Sequence, residues 1–203
     1  MRIVREVDMF IEGDRRKIGR DFETKVFGVD KFGPNLGLKS SPDYLNFDDS
    51  LKQIIDSNWA MYAHSLEKGE PYCHNPIRPR MGLTHQIWAA VKNWLPKRVE
   101  GEVLPLNLYI SVGRNSLDFY HGVDAFFWWN WARVTVDVSY RPKGLVGLKA
   151  DLGFSSEDLQ DPKLLQFGRK VASLLVQKNL EEKERMKCKV EQLVSELLRS
   201  GLG

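Results

Sequence analysis

The sequence predicts an α/β (α+β) fold: a central mixed β-sheet built around a β-hairpin, flanking helices, and a long C-terminal amphipathic helical region. Three observations predict it. Residues 117–143 hold two runs of β-branched and aromatic residues around a short polar break, several earlier segments have apolar residues at helical spacing, and the chain is strongly helical from Pro162 onwards. At 203 residues the chain is long enough for one domain and an appended helix. We therefore predict a domain at residues 1–160, with a helical insertion at about 50–98, and a helical segment at 161–203.

Five segments around the hairpin are predicted from their periodicity and their Gly or Pro boundaries. In chain order they are a helix at 13–28, capped by Asp14 and ended by Gly28, a helix at about 50–68, a helix with Thr84 as its N-cap and Pro96 near its end, a strand at 104–113, and a strand at 145–154. Residues 1–11 fit either an edge strand or the start of the first helix. Residues 29–49 are rich in Gly, Pro, Asn and Ser, and are predicted to be a connection.

The first helix carries one acid of interest. Its apolar stripe consists of Ile18, Phe22, Val26 and Phe27, and Glu23 lies beside that stripe. An exposed ion pair between Glu23 and Arg20, three residues earlier, is the alternative to a functional role.

The hairpin has a definite predicted register. If Asn130 and Trp131 form the turn, three apolar pairs face one another on one side of the sheet: Val123 with Val138, Ala125 with Val136, and Phe127 with Val134. On the other side Asp124 lies opposite Asp137. A slip by one residue would mix apolar and polar faces, so the pattern favours this register.

Two opposed carboxylates repel each other. The pair persists if a cation lies between them, if one stays protonated, or if both point into water. Because Phe126 and Trp128 share the face of the acids, we expect the hairpin to be central and the acids to lie in a cleft. The arrangement therefore indicates a metal or catalytic site, with solvated acids as the alternative.

The C-terminal helical region has two apolar stripes. The first consists of Leu164, Phe167, Val171, Leu174 and Leu175, and the second of Met186, Val190, Leu193 and Leu197. The second stripe has spacings of four, three and four, which fit a heptad seam. It could pack on its own domain or on another copy of the chain, and its place beyond the main core favours a homodimer.

Composition excludes some classes of protein and leaves others open. The net charge of +3 permits a nucleic-acid partner without indicating one. The two cysteines, Cys73 and Cys188, are far apart, so free thiols in a reducing compartment are expected. No run is apolar enough for a signal peptide or a membrane span, so the protein is expected to be cytoplasmic, with no membrane partner.

The remaining candidate residues carry weaker signals. Cys73, His64, His74 and His85 match no familiar zinc-ligand spacing. His121 could help to bind a metal or a phosphate, although a lone histidine before a strand is usually structural. Several basic residues could contact phosphates, and each is more often simply solvated: Arg15, Arg16, Lys17, Arg20, Arg78 and Arg80.

Three short motifs together resemble the PD-(D/E)XK nuclease superfamily, which includes the restriction-endonuclease-like proteins. They are GRDFE with Glu23, GVDAF with Asp124 and VTVDVS with Asp137, and the resemblance covers residues 13–28 and 105–155. It implies a mixed sheet flanked by helices and a metal-dependent nuclease. Asp124 and Asp137 would bind Mg²⁺ (or Mn²⁺), and Glu23 would assist.

The resemblance also implies a nucleic-acid partner, expected to be DNA. The basic residues that would contact it are Arg15, Arg16, Lys17, Arg20 and Arg141.

One position departs from the family pattern. The family has a lysine two residues after the second acid, and this chain has Ser139 there. A relocated lysine, Lys143 or Lys149, would then complete the catalytic set. The alternative is a catalytically inactive nuclease-like fold that acts as a nucleic-acid-binding or assembly protein. A small-molecule enzyme with a Trp-rich cleft is a third class.

Overall fold

The protein is described by a computed structural model that covers residues 18, 21–27, 42–69, 75–80, 82–99, 101–113, 115–141 and 148–199. It is a four-stranded mixed sheet with helices on its faces and a long C-terminal helix, which confirms the predicted fold class. Residues 21–27 are helical. The elements that follow are α1 (Phe47–Glu67), α2 (Gly82–Lys92), β1 (Leu106–Ile110), α3 (Ser116–His121), β2 (Ala125–Trp129), β3 (Ala132–Ser139), β4 (Leu152–Ser155), a 3-10 turn (Ser156–Leu159) and α4 (Lys163–Arg199).

The hairpin is at the centre of the sheet, as predicted. The strand order is β1-β2-β3-β4; β1 pairs antiparallel with β2, β2 antiparallel with β3, and β3 parallel with β4. The register places Ala125 opposite Val136 and Phe127 opposite Val134, which confirms those two pairs. Asn130 in the turn has a left-handed φ of 53°, a conformation that asparagine tolerates better than most residues.

The outer edge of β1 is covered by side-chain and loop groups. The amide of Asn58, on α1, donates from Nδ2 to the Ile110 carbonyl at 2.9 Å and accepts from the Ile110 N–H at 3.1 Å. The Leu108 N–H donates to the Pro76 carbonyl at 2.9 Å. These bonds satisfy backbone groups that would otherwise invite another strand.

Both faces of the sheet are buried. One face packs against α2, the first half of α4 and the helical residues 21–27, through a core that includes Val26, Val91, Val134 and Val171. The other face packs against α1 and α3, in a smaller core of Leu51, Ile54, Tyr109, Leu117, Val123, Phe126 and Ala150. The region predicted as a helical insertion therefore supplies a cover for each face of the sheet.

Two predicted boundaries on either side of the hairpin are wrong. The segment between β1 and β2 contains α3, so residues 117–121, which were predicted to begin the hairpin stretch, are helical and not part of a strand. Asn115 is the N-cap of α3, and Gly122 ends it with a left-handed φ of 60°.

In the described part of the strand predicted at 145–154, residues 148–151 are not in a strand and β4 begins at Leu152, so Lys149 and Asp151 lie before it. Thr84 is not an N-cap, because α2 begins at Gly82 and the Thr84 hydroxyl donates to the Val26 carbonyl at 2.8 Å. Its hydroxyl joins α2 to the helical residues 21–27 and is not available to cap the helix.

The C-terminal region is one continuous helix of 37 residues, about 55 Å long. Its last buried residue is Asn179, and every residue from 183 to Arg199 is exposed. Among the described helices, none is both long and apolar enough to span a membrane.

Candidate functional site

Asp124 lies where β1, β2 and β3 meet, immediately before the first residue of β2. Its carbonyl accepts from the Ser111 N–H at 2.8 Å and its N–H donates to the Val136 carbonyl at 2.9 Å. Its carboxylate oxygen Oδ2 accepts from the Val138 N–H at 2.6 Å. Asp124 is only 6% exposed, so the sheet holds this carboxylate in one place.

The Asp124 carboxylate also explains why the hairpin ladder stops at Ala125. In a continued ladder the Val138 N–H would donate to the Val123 carbonyl. The carboxylate accepts that N–H instead, and the Val123 carbonyl accepts from the Ser111 hydroxyl. The predicted pair of Val123 and Val138 is therefore not part of the ladder, because a side chain has replaced the backbone acceptor.

Asp137 is in the second half of β3 and is 7% exposed. Its neighbour on β4 is Gly153, so β4 places no side chain beside this carboxylate. Asp137 and Asp124 come from adjacent strands, one register step beyond the pair of Ala125 and Val136. The two predicted metal ligands are thus both buried and both at the same end of the central hairpin.

The described charges that act on Asp124 are negative. Burial raises the pKa of Asp124 well above its usual value, and the charges of Asp118, Glu23 and Asp137 raise it further. The hydrogen bond from the Val138 N–H opposes these effects without cancelling them. Among the described residues, the charges that act on Asp124 are therefore all carboxylates, and a cation at this point would offset their repulsion.

Glu23, from the helical residues 21–27, is half-buried and close enough to act on Asp124. The structure thus brings the three predicted acids together, although they are up to 114 positions apart in the chain (137 − 23).

Asp118 is a fourth acid of this cluster, and the sequence analysis missed it. It lies in the first turn of α3, where its Oδ2 accepts from the Gly113 N–H at 2.9 Å. The signal was the stretch from Asn115 to Asp118, which has the spacing of a helix N-cap followed by an acid at the third helical position.

The structure describes two of the predicted basic site residues, Lys149 and Arg141. The Lys149 ammonium donates to the Tyr120 carbonyl at 2.9 Å, at the end of α3, and its side chain runs over Gly122. Arg141 is exposed just after β3, where its carbonyl accepts from the Ser139 hydroxyl at 2.6 Å. Five further predicted residues lie outside the described residues: Arg15, Arg16, Lys17, Arg20 and Lys143.

Two of the four histidines make contacts that are structural. The His121 ring nitrogen Nε2 is 3.0 Å from the Leu45 carbonyl, and the ring packs edge-on against Phe47. His85 hydrogen-bonds the Pro79 carbonyl, and His64 is exposed on α1. Cys73 and His74 lie outside the described residues.

Asp124 and Asp137 offer carboxylate oxygens, which are the kind of ligand that Mg²⁺ prefers. In the part of the chain that the structure describes, no three His, Cys, Asp or Glu side chains form a group that could hold a metal ion. Mg²⁺ does not need three protein ligands, because it usually keeps several waters and binds through one or two carboxylates together with substrate phosphates. Two buried carboxylates among further acids match that mode of binding.

A separate polar cluster joins the sheet to α4. Asp151 Oδ2 accepts from the Thr135 N–H at 2.8 Å and from the Thr135 hydroxyl at 2.9 Å, and its Oδ1 accepts from the Lys178 ammonium at 2.7 Å. Burial alone would raise the pKa of Asp151, but the hydrogen bonds and charge of Lys178, together with Thr135, hold it below its usual value. Asp151 therefore has a structural role.

We expect Asp151→Asn to destabilise the fold by about 1–2 kcal/mol at pH 7, because it removes a charge-assisted hydrogen bond. The pKa of Asp151 is lower in the folded state, so its stabilisation is present above the unfolded pKa and is lost as the pH falls through the folded pKa. Urea unfolding at several pH values should show a difference from wild type that shrinks in acid. Asp43→Asn, at an exposed acid, is the control; an equal loss there would contradict this role.

Comparisons of the chain with protein-family models, with characterised proteins and with solved structures find no match.

Proposed function

We propose that the chain is a metal-dependent nuclease that hydrolyses phosphodiester bonds in nucleic acid, with DNA as its expected substrate. The observation that carries the proposal is the buried pair of Asp124 and Asp137 at the same end of the two central strands, where the charges of Asp118 and Glu23 also act on Asp124. Repulsion between such carboxylates lowers the stability of the fold, and perturbed carboxylates of this kind are typical of active sites.

Within the proposal, Asp124 and Asp137 bind Mg²⁺ (or Mn²⁺). When bound, the metal supplies a water of lowered pKa and offsets charge on the scissile phosphate. The Val138 N–H keeps the Asp124 carboxylate oriented, and the position of Asp137 next to Gly153 leaves that side of the site free of β4 side chains. Glu23, half-buried beside them, is suited to orient the attacking water.

The positive charge that the family places at Ser139 must come from elsewhere. Lys149 is the described candidate, since its side chain passes over Gly122, two residues before Asp124. The proposal requires its ammonium to leave the Tyr120 carbonyl when a phosphate binds. Lys143 is the second candidate.

Membership of the PD-(D/E)XK superfamily is part of this proposal. It is supported by the order of the elements, in which the helical residues with Glu23 precede β1 to β3 and β4 then pairs parallel to β3. The proposal places the protein in the cytoplasm.

The test is to titrate the wild type and Asp137→Ala with Mg²⁺ and Mn²⁺. Two quantities are measured: the melting temperature and the nicking of a supercoiled plasmid. A site that binds metal gains about 2.7 kcal/mol at a hundred times its Kd, which corresponds to a rise of about 5–10 °C. Asp137→Ala should lose this rise and lower nicking by about 100-fold or more, because even residues that only support a metal ligand typically contribute 10–100-fold.

Asp56→Ala is the matched control, since Asp56 is an exposed acid on α1. It should keep both the metal response and the nicking. If Asp137→Ala nicks the plasmid as fast as the wild type, the proposed site is not the active site.

The inactive nuclease-like fold is the second candidate function. It is favoured by the hydrogen bond of Lys149 to Tyr120 and by the Ser139 hydroxyl, which donates to the Arg141 carbonyl. A wild type that is stabilised by metal but never nicks DNA would support it. The protein would then be a nucleic-acid-binding or assembly protein.

A further inference from the structure

The second half of α4 extends past the domain with an apolar stripe on its surface. Met186, Val190, Leu193 and Leu197 are between 47% and 58% exposed. Their spacings of four, three and four are those of heptad positions d, a, d and a. We call these four residues the seam; they are the residues that the sequence analysis predicted as a heptad repeat.

The seam lies on the side of α4 that faces the domain earlier in the helix. At about 100° per residue, all four seam residues point within about 40° of the direction of Asn179, the last buried residue. Asn179 accepts from the Asn130 amide at 2.9 Å, so the hairpin turn marks where the domain ends along the helix. The domain thus covers this side up to Asn179, and the same side continues exposed beyond it.

We propose that the seam is covered by the seam of a second copy of this chain, with the two helices antiparallel. Met186 of one copy then packs against Leu197 of the other, and Val190 against Leu193, in four apolar layers. In this register residues 184–199 of each copy lie along the same residues of the other, so all of the pairing takes place beyond Asn179. Each domain stays at its own end of the pair.

A parallel pair conflicts with the position of the domains. Each domain lies on the seam side of its own helix over residues 164–179. Parallel helices would bring both domains to the same end and into the space between the two helices. The antiparallel arrangement avoids this overlap.

Charges beside the seam fit the antiparallel arrangement. Lys189 and Glu196 both occupy heptad position g, and antiparallel helices bring such positions together, so Lys189 of each copy meets Glu196 of the other. A parallel pair would place Lys189 opposite Val194 and would pair Lys187 with Glu182, which already binds Arg185 of its own helix at 3.2 Å. The two orientations therefore depend on different lysines.

The seam is about 17 Å long, so we expect a reversible dimer with a Kd of about micromolar. Sedimentation equilibrium of the full chain over about a hundredfold range of concentration should show it. Leu193→Lys should weaken the dimer by about 100-fold or more, since two lysines would enter the seam. Ser195→Lys, on the opposite side of α4, is the control and should leave the Kd unchanged. Both sites are exposed, so the melting temperature of the domain should not fall.

The orientation is tested by exchanging charges. Lys189→Glu and Glu196→Lys should each weaken the dimer by about tenfold, and the double exchange should restore it. Lys187→Glu should have no effect. A wild type that stays monomeric at all concentrations would overturn the proposal, and so would a dimer that tolerates Leu193→Lys. Sensitivity to Lys187→Glu without rescue by the double exchange would overturn the antiparallel arrangement. These results are independent of metal binding and nuclease activity.

Discussion

Gly168→Ala should destabilise the fold by about 3 kcal/mol and lower its melting temperature by about 9 °C. Gly168 lies where α4 crosses α2. A Cβ there would be 2.5 Å from the carbonyl carbon of Ala90 and 2.6 Å from its oxygen. Backbone atoms cannot rotate away as a flexible side chain can, so the two helices must separate. Separation would open the core that covers one face of the sheet.

The expected loss of stability in Gly168→Ala is the difference between a steric clash and a gain in helix propensity. Alanine has a higher helix propensity than glycine by about 1 kcal/mol, so the mutation would be favourable if space were available. Gly82→Ala provides that comparison, because a Cβ at Gly82 meets nothing within 4 Å. We expect it to leave the melting temperature unchanged or slightly raised. A Gly168→Ala protein that melts like the Gly82→Ala protein would contradict the close crossing of the helices.

The hairpin was predictable because its pattern is local and redundant. A single turn position aligned two pairs of apolar residues, Ala125 with Val136 and Phe127 with Val134, and both pairs are present. The predicted pair two residues further from the turn, Val123 with Val138, is not part of the ladder. There the Asp124 carboxylate takes the Val138 N–H, and no alternation of apolar and polar residues encodes such a substitution.

The contacts that the sequence did not reveal join distant parts of the chain. The hydrogen bonds of Asp151 to Thr135 and Lys178 connect a loop, a central strand and α4. Gly168 and Ala90, whose helices approach closely, are even further apart in sequence. Each depends on how whole helices dock onto the sheet, which a period of 2 or 3.6 residues does not determine.

Three of the four acids that act on one another in the candidate site could be identified from the sequence. Asp124 and Asp137 were identified from their shared face, and Glu23 only from the resemblance to a family. Asp118 became visible once α3 was placed beside the start of β2. Of the two lysines predicted to supply the positive charge, Lys149 binds a carbonyl at the end of α3, and Lys143 lies outside the described residues.

The negative cluster has a consequence for stability. A buried carboxylate among other carboxylates disfavours the folded state at neutral pH, as is common where function requires an arrangement that folding does not. Removing the charge of Asp124 should therefore have opposite effects on stability and on activity.

Asp124→Asn should stabilise the metal-free protein by about 1–2 kcal/mol at pH 7–8 and abolish its metal response and nicking. The asparagine keeps an oxygen that can accept the Val138 N–H, and its amide can donate to the neighbouring carboxylates. The pKa of Asp124 is raised in the folded state, so the favourable contribution of the wild-type residue is present below its unfolded pKa and is lost as the pH rises through the folded pKa. The advantage of the mutant should accordingly grow with pH and vanish in acid.

The measurement is a melting series from about pH 4 to about pH 9, in EDTA and in Mg²⁺, with Asp56→Asn as the exposed control. In EDTA the Asp124→Asn protein should melt above the wild type at neutral pH. In Mg²⁺ only the wild type should gain stability, so the difference should narrow or reverse. A mutant that is less stable than the wild type at every pH would mean that the hydrogen bond to Val138 outweighs the burial of charge. Asp124 would then be a structural residue that closes the end of the hairpin, and the metal site would have to be sought elsewhere.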